Sequence, residues 1–110
     1  MDVFIGEGII PVIIGNEYDA ALVAKKVYRL SGYRAHIFSE RFNLLQRMKY
    51  KCHRVLFSKE HVVERYLIDF AIQLEEFNTP ILICCDEFSK AFVERRREEL
   101  EPYYIIVDSN

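Results

Sequence analysis

Ile9-Ile10-Pro11-Val12-Ile13-Ile14-Gly15-Asn16-Glu17-Tyr18-Asp19-Ala20 is the stretch on which the fold turns. Its first six residues are nearly continuous, apolar and mostly β-branched, the pattern of a strand buried on both faces of a parallel sheet. Gly15 ends that strand. Pro11 stands early in the run, where a missing N–H is best tolerated. Between Asn16 and Asp19 the pattern changes to a helix, with Ala20, Val23, Ala24, Val27 and Leu30 at three- and four-residue spacings and Lys25, Lys26 and Arg29 turned outward. Gly32 stops it at a position where a left-handed cap is common.

The same alternation continues downstream with short connections. Arg34-Ala35-His36-Ile37-Phe38 reads as a second strand, and Ser39 as the N-cap of a short helix carrying Phe42, Leu45 and Met48. His53-Arg54-Val55-Leu56-Phe57 is a third strand. Ser58 then caps a helix whose Val63, Tyr66, Leu67, Phe70, Ala71, Leu74 and Phe77 form an unbroken apolar stripe. After the turn signal Asn78-Thr79-Pro80 come a fourth strand, Ile81 to Cys85, a helix from Asp86 to about Leu100, and a fifth strand, Tyr103 to Val107. Five strands alternating with four helices predict an α/β three-layer sandwich with a mostly parallel, Rossmann-like five-stranded sheet and right-handed crossovers. All 110 residues fit one domain of ordinary size.

Composition narrows the partners. The chain is 51% hydrophobic and 29% charged, as ordinary globular proteins are. Fifteen basic and 17 acidic residues leave a net charge of −2, so no overall field draws it to nucleic acid or to an anionic membrane. The N-terminus has Asp2 where a signal peptide would be basic, and no apolar run reaches the roughly 20 residues that span a bilayer. Cys52, Cys84 and Cys85 are odd in number and lack framework spacing, which fits reduced thiols and a cytoplasmic location.

In an open parallel sheet, ligands bind beyond the carboxyl ends of the strands where strand order reverses. If the first strand is central and flanked by the second and fourth, the loops after these three strands converge. The first offers Gly15 and a helix N-terminus suited to an anion such as a carboxylate. It lacks the further glycines of a dinucleotide turn, and Glu17 and Asp19 stand where phosphates would approach. The fourth offers Asp86 and Glu87, able to meet an amine or a metal. Simple N-capping is the better explanation of Asn16, Asp19 and Asp86 from the residues alone, and acids favour a first helical turn in any case. Cys84 and Cys85 read as small apolar strand residues facing opposite sides. No metal-ligand spacing joins them to Cys52 or His53, and His36, His53 and His61 have no nucleophile pattern beside them. Arg41, Arg47, Lys49, Tyr50, Lys51 and Arg54 form a basic stretch that reads as a solvated face or a docking surface. Glu94 to Glu99 reads as an exposed helix face with Arg95 four residues before Glu99.

Two segments resemble a known family. Pro11 to Ala20, with the helix ending at Ser31-Gly32-Tyr33, is similar to the opening of ATP-grasp carboxylate-amine ligases of the D-aspartate ligase-like kind. Pro80 to Phe88, with Arg96 to Tyr104 after it, is similar to the last strand-helix-strand of the pre-ATP-grasp domain in the same family. The resemblance implies an N-terminal domain that packs on an ATP-grasp domain of the same or another chain and helps wall the site where carboxylate and amine meet. It implies that ATP and magnesium belong to the parent enzyme's later domains, that this domain binds no cofactor and catalyses nothing alone, and that its ligand is an amino acid or carboxylate. By matching position, Gly15, Asn16, Asp19, Asp86 and Glu87 are the crevice residues. Tyr18 and Cys85 depart from the family's usual small residue and glycine. A flavodoxin-like or receiver-like signalling domain, with Asp86 or Asp19 taking a phosphoryl group, is the alternative, as is a non-catalytic homo-oligomeric module. A receiver's acceptor at the end of strand three and its lysine after strand five are both missing here.

Overall fold

The computed structural model describes residues 8–39, 51–55, 60–74 and 78–108, with the backbone alone for 51–55, 60–62 and 108. Five strands, β1 (Ile9–Ile14), β2 (Ala35–Phe38), β3 (Lys51–Val55), β4 (Thr79–Cys84) and β5 (Ile105–Asp108), form one sheet in the order β3-β2-β1-β4-β5. Every pairing is parallel. The helices are α1 (Glu17–Ser31), α2 (Glu60–Ile72), α3 (Glu87–Arg95) and the single turn α4 (Arg97–Leu100). β1 is central, between β2 and β4, as the loop argument required. The order differs from the 2-1-3-4-5 of flavodoxin-like and receiver-like sheets and follows the first five strands of the Rossmann order.

Side chains along a strand point alternately to opposite faces, and the core divides accordingly. On one face Val12, Ile14, Phe38, Leu82 and Cys84 meet Val63 and Leu67 of α2, Phe92 and Val93 of α3, Leu100 and Tyr104. On the other, Ile13, Ala35 and Ile37 meet Ala20, Ala21 and Ala24 of α1, with Ile83 and Cys85 beside them. Cys84 and Cys85 do face opposite sides. The connection from β1 to β2 runs one way along the sheet and those from β3 to β4 and β4 to β5 run the other, so crossovers of one hand place their helices on opposite faces.

Several boundaries and orientations differ from the sequence expectation. β2 begins at Ala35 rather than Arg34, β4 at Thr79, and β5 at Ile105. β3 begins at Lys51, and its expected end at Leu56 and Phe57 lies outside the described residues, as do the short helix after Ser39, the Ser58 cap and Phe77. The Arg41 to Arg54 stretch also lies outside the described side chains. Leu30 does not face the sheet: it is 81% exposed. The buried stripe of α1 includes Ala21, and Leu30 stands nine residues on, about half a turn round at about 100° per residue. The apolar stripe of α2 is interrupted at Tyr66, which is 48% exposed. His36, in mid-strand, packs its ring on Phe70 at 4.8 Å between centroids.

The expected single helix from Asp86 to Leu100 breaks at Arg96, whose φ of −114° and ψ of 17° leave the helical region. Its N–H is shared between the carbonyls of Phe92 and Val93, both at 3.1 Å. The break turns Leu100 into the core, where it is fully buried, and lets the Tyr104 hydroxyl donate to the Leu67 carbonyl at 2.5 Å. Arg96 reaches Glu64 of α2 at 3.2 Å, so this part of the charged run ties two helices together instead of only facing water. Arg97 pairs with Glu94 and Glu101 at the surface, where such pairs contribute little. Among the described residues no helix is long and apolar enough to cross a membrane.

Candidate functional site

Three strand ends are stitched together at the carboxyl edge of the sheet. The Gly15 N–H donates to the Phe38 carbonyl of β2 at 3.2 Å, and the Cys85 N–H donates to the Ile14 carbonyl of β1 at 3.1 Å. This is the point where strand order reverses, β1 leading to β2 on one side while β4 lies on the other. Gly15 has a φ of 152°, and a Cβ placed on it would come 2.2 Å from Cys85 Sγ and 3.3 Å from the Asp86 carboxyl. Only glycine allows the two loops to approach this closely.

Asn16 caps α1: its Oδ1 accepts from the Asp19 N–H at 2.8 Å, and its Nδ2 donates to Asp19 Oδ2 at 2.8 Å. The same Nδ2 and the Asn16 backbone N–H both donate to Asp86 Oδ2, each at 2.8 Å. Asp86 in turn caps α3. Its Oδ1 accepts from the Ser89 N–H at 2.7 Å, and its own N–H donates to Ser89 Oγ at 3.2 Å, the reciprocal pair of a capping box. The two helix caps thus share one carboxylate.

The structure therefore brings Gly15, Asn16, Asp19 and Asp86 into one cluster, and leaves Glu87 outside it. The Glu87 side chain is 95% exposed and stands 3.9 Å from Lys90, one turn along α3. Both oxygens of Asp86 accept from protein donors, Oδ2 from Asn16, the N-cap residue of α1, and Oδ1 from Ser89 of α3. A carboxylate of the protein itself therefore stands beside that helix N-terminus, bonded to its cap residue.

Electrostatics follow the contacts. Burial pushes the Asp86 carboxyl up, but the hydrogen bonds from the Ser89 backbone and hydroxyl and from Asn16 outweigh it and hold the group below its ordinary value. The Cys85 thiol is pushed up to about 12, first by burial and then by Asp86, Asp19 and Cys84. At neutral pH it is therefore a protonated filler over Gly15, without the thiolate that nucleophilic or redox work requires. Among the described residues no group of three His, Cys, Asp or Glu side chains could hold a metal ion.

Ser89 and Cys85 complete the cluster, and neither was named as a site residue from the sequence. Ser89 was legible as the third residue after a capping Asp, although Glu or Gln is the usual partner there. Cys85 was read only as a small strand residue and a departure from the family's glycine, because its packing over Gly15 depends on a residue 70 positions away. Ser39, fully buried at the end of β2, has no hydrogen-bond partner for its hydroxyl among the described residues.

The class that fold and cluster define is an α/β domain whose parallel sheet is flanked by helices in a generic Rossmann-like layout. Comparison with protein-family models, with curated protein sequences and with solved structures finds no match.

Proposed function

We propose that the chain is the N-terminal, pre-ATP-grasp-like domain, or a stand-alone relative, of an ATP-grasp carboxylate-amine ligase. It acts as a substrate-side wall and docking module, not as a catalyst. The observation that carries the reading is the meeting of the loops after β1 and β4 at the strand-order reversal, the two segments in which the sequence resembles that family. In this reading Gly15, Asn16, Asp19 and Asp86 shape one side of a crevice for an amino acid or carboxylate. Glu87, exposed at its rim, offers a carboxylate to an amine. An ATP-grasp domain of the same or another chain supplies ATP, magnesium and the acyl-phosphate chemistry. The clamp between Asn16 and Asp86 then serves as a rigid support, because residues that hold a ligand must themselves be held.

Calorimetric titration of the 110-residue chain with magnesium and ATP tests the first half of the reading, and no saturable heat is expected. Micromolar binding would overturn it. The second half is tested by titrating amino acids and dicarboxylates while following backbone amide shifts. Shifts at Asn16, Asp86 and Glu87 are expected, and their absence together with shifts elsewhere would remove the crevice from the proposal.

A further inference from the structure

On the α1 face, near the carboxyl ends of β4 and β5 but sharing no residue with the Gly15–Asp86 cluster, an open cavity of about 320 Å³ is lined by Leu22, Val23, Lys26, Val27, Ile83 and Val107. The first four belong to one flank of α1. Ile83 and Val107 are register partners on β4 and β5 and make the floor. Leu22 and Val107 are 53% and 40% exposed, and Ile105 beside them is 54% exposed. Parallel sheets normally have both faces covered, so apolar floor left open to water needs an explanation.

Lys26 is the one charge in the lining. Among the described residues its side chain has no ion pair or hydrogen bond, whereas Lys90, Arg96 and Arg97 each stand beside a carboxylate. An apolar trough with a single unengaged cation at its rim has the makeup of a small-ligand pocket: apolar walls for affinity and one polar group for orientation. The volume is at the lower end of the roughly 300–1,000 Å³ that such pockets span. At roughly 30 Å³ per water-sized unit it holds on the order of ten methylene-sized groups.

We propose that this cavity binds a small aliphatic carboxylate, with its chain on Leu22, Ile83 and Val107 and its carboxylate on Lys26 Nζ. The cavity shares no residue with the cluster of Gly15, Asn16, Asp19 and Asp86, so the assignment is independent of the ligase reading.

The test titrates the full chain with decanoate, and with decylamine as a probe of equal chain and opposite charge, both below micelle formation, while following methyl shifts. Saturable shifts at Leu22, Ile83 and Val107 are expected, with decanoate bound at least tenfold tighter than decylamine. In Lys26→Glu, a surface change, the preference should invert. In Val107→Asn, with its circular dichroism unchanged, both ligands should be lost. Equal affinity for the two probes, an absence of saturation, or the same methyl shifts produced by raising protein concentration without ligand would each overturn the proposal. The last outcome would assign the face to contact between copies of the chain.

Discussion

One face of the sheet is covered by helices that bring large side chains to it and the other by a helix that brings small ones. Under α2 and α3 lie Phe38, Phe92, Leu67, Leu82 and Leu100, each buried, with Tyr104 anchored to the Leu67 carbonyl. Under α1 lie Ala20, Ala21, Ala24 and Ala35 around Ile13 and Ile37. Large residues fill the space between helix and sheet from a distance, and their burial contributes most of the apolar stabilisation. Alanines contribute less area but allow close approach, so α1 covers a narrow strip and leaves the floor at Ile83 and Val107 open. Stability is therefore concentrated on one face, and the other is free to differ in use.

This contrast fails if the two faces respond alike to a change of volume. Phe92→Ala should destabilise by about 3–5 kcal/mol, the range for removing a fully buried aromatic side chain. Ala24→Leu, an enlargement on the face of small residues, should destabilise by about 1–3 kcal/mol through overpacking. Urea unfolding of both variants measures the two effects. If Ala24→Leu were tolerated without loss, the close approach of α1 would not be required, and the narrow strip would need another cause.

Gly15 is where the faces are forced together, since Cys85 packs on the α1 side and Asp86 opens the helix on the other. Gly15→Ala should cost about 1–3 kcal/mol from its backbone conformation alone, with the encounter between Cβ and Cys85 Sγ in addition. Adding Cys85→Ala to the same chain removes the sulfur and should recover only the second part. Recovery of the whole loss would show that the backbone angle imposes no strain.

The strands and their parallel, helix-covered layout came readily from sequence because burial on both sides leaves continuous apolar runs, whereas their order, with β1 between β2 and β4, was a supposition that only the pairing of the strands decides. Ile9 to Ile14 was read with the bounds it has, and the fourth strand as Ile81 to Cys85 where the structure has Thr79 to Cys84. Asn16 and Asp86 were legible as residues following adjacent strands. That they bond each other was not, because their contact across 70 residues exists only once β4 lies beside β1. Glu87 was placed in the crevice by matching position to the family; the structure brings Asp86 into the cluster and leaves the Glu87 side chain exposed beside Lys90. Leu30 failed for a related reason: the helical period allows several stripes, and the small residues at Ala20, Ala21 and Ala24 selected one that excludes it. The break at Arg96 had no local marker, since neither proline nor glycine stands there. The packing of Leu100 and Tyr104 sets it.

The bond between the two helix caps gives the smallest expected effect and the sharpest test of whether the faces are coupled. Asn16→Ala and Asp86→Ala each remove an N-cap, which costs typically about 1 kcal/mol. If the caps acted separately, the double variant would lose the sum. Because Asn16 donates twice to Asp86, we expect the double variant to lose less than the sum by about 0.5 kcal/mol or more. The same contact carries a pH signature whose sign is fixed. Asp86 titrates below its ordinary value of 3.8 in the folded chain. Its contribution is thus present above 3.8, and is lost as pH falls through that value toward the lower folded one. Comparing urea midpoints of wild type and Asp86→Asn from pH 6 down to pH 3 should show the gap between them narrowing as acid is added. A gap that stays constant would mean that the charge on Asp86 is not what α1 and α3 share, and that the two faces are joined only through the sheet.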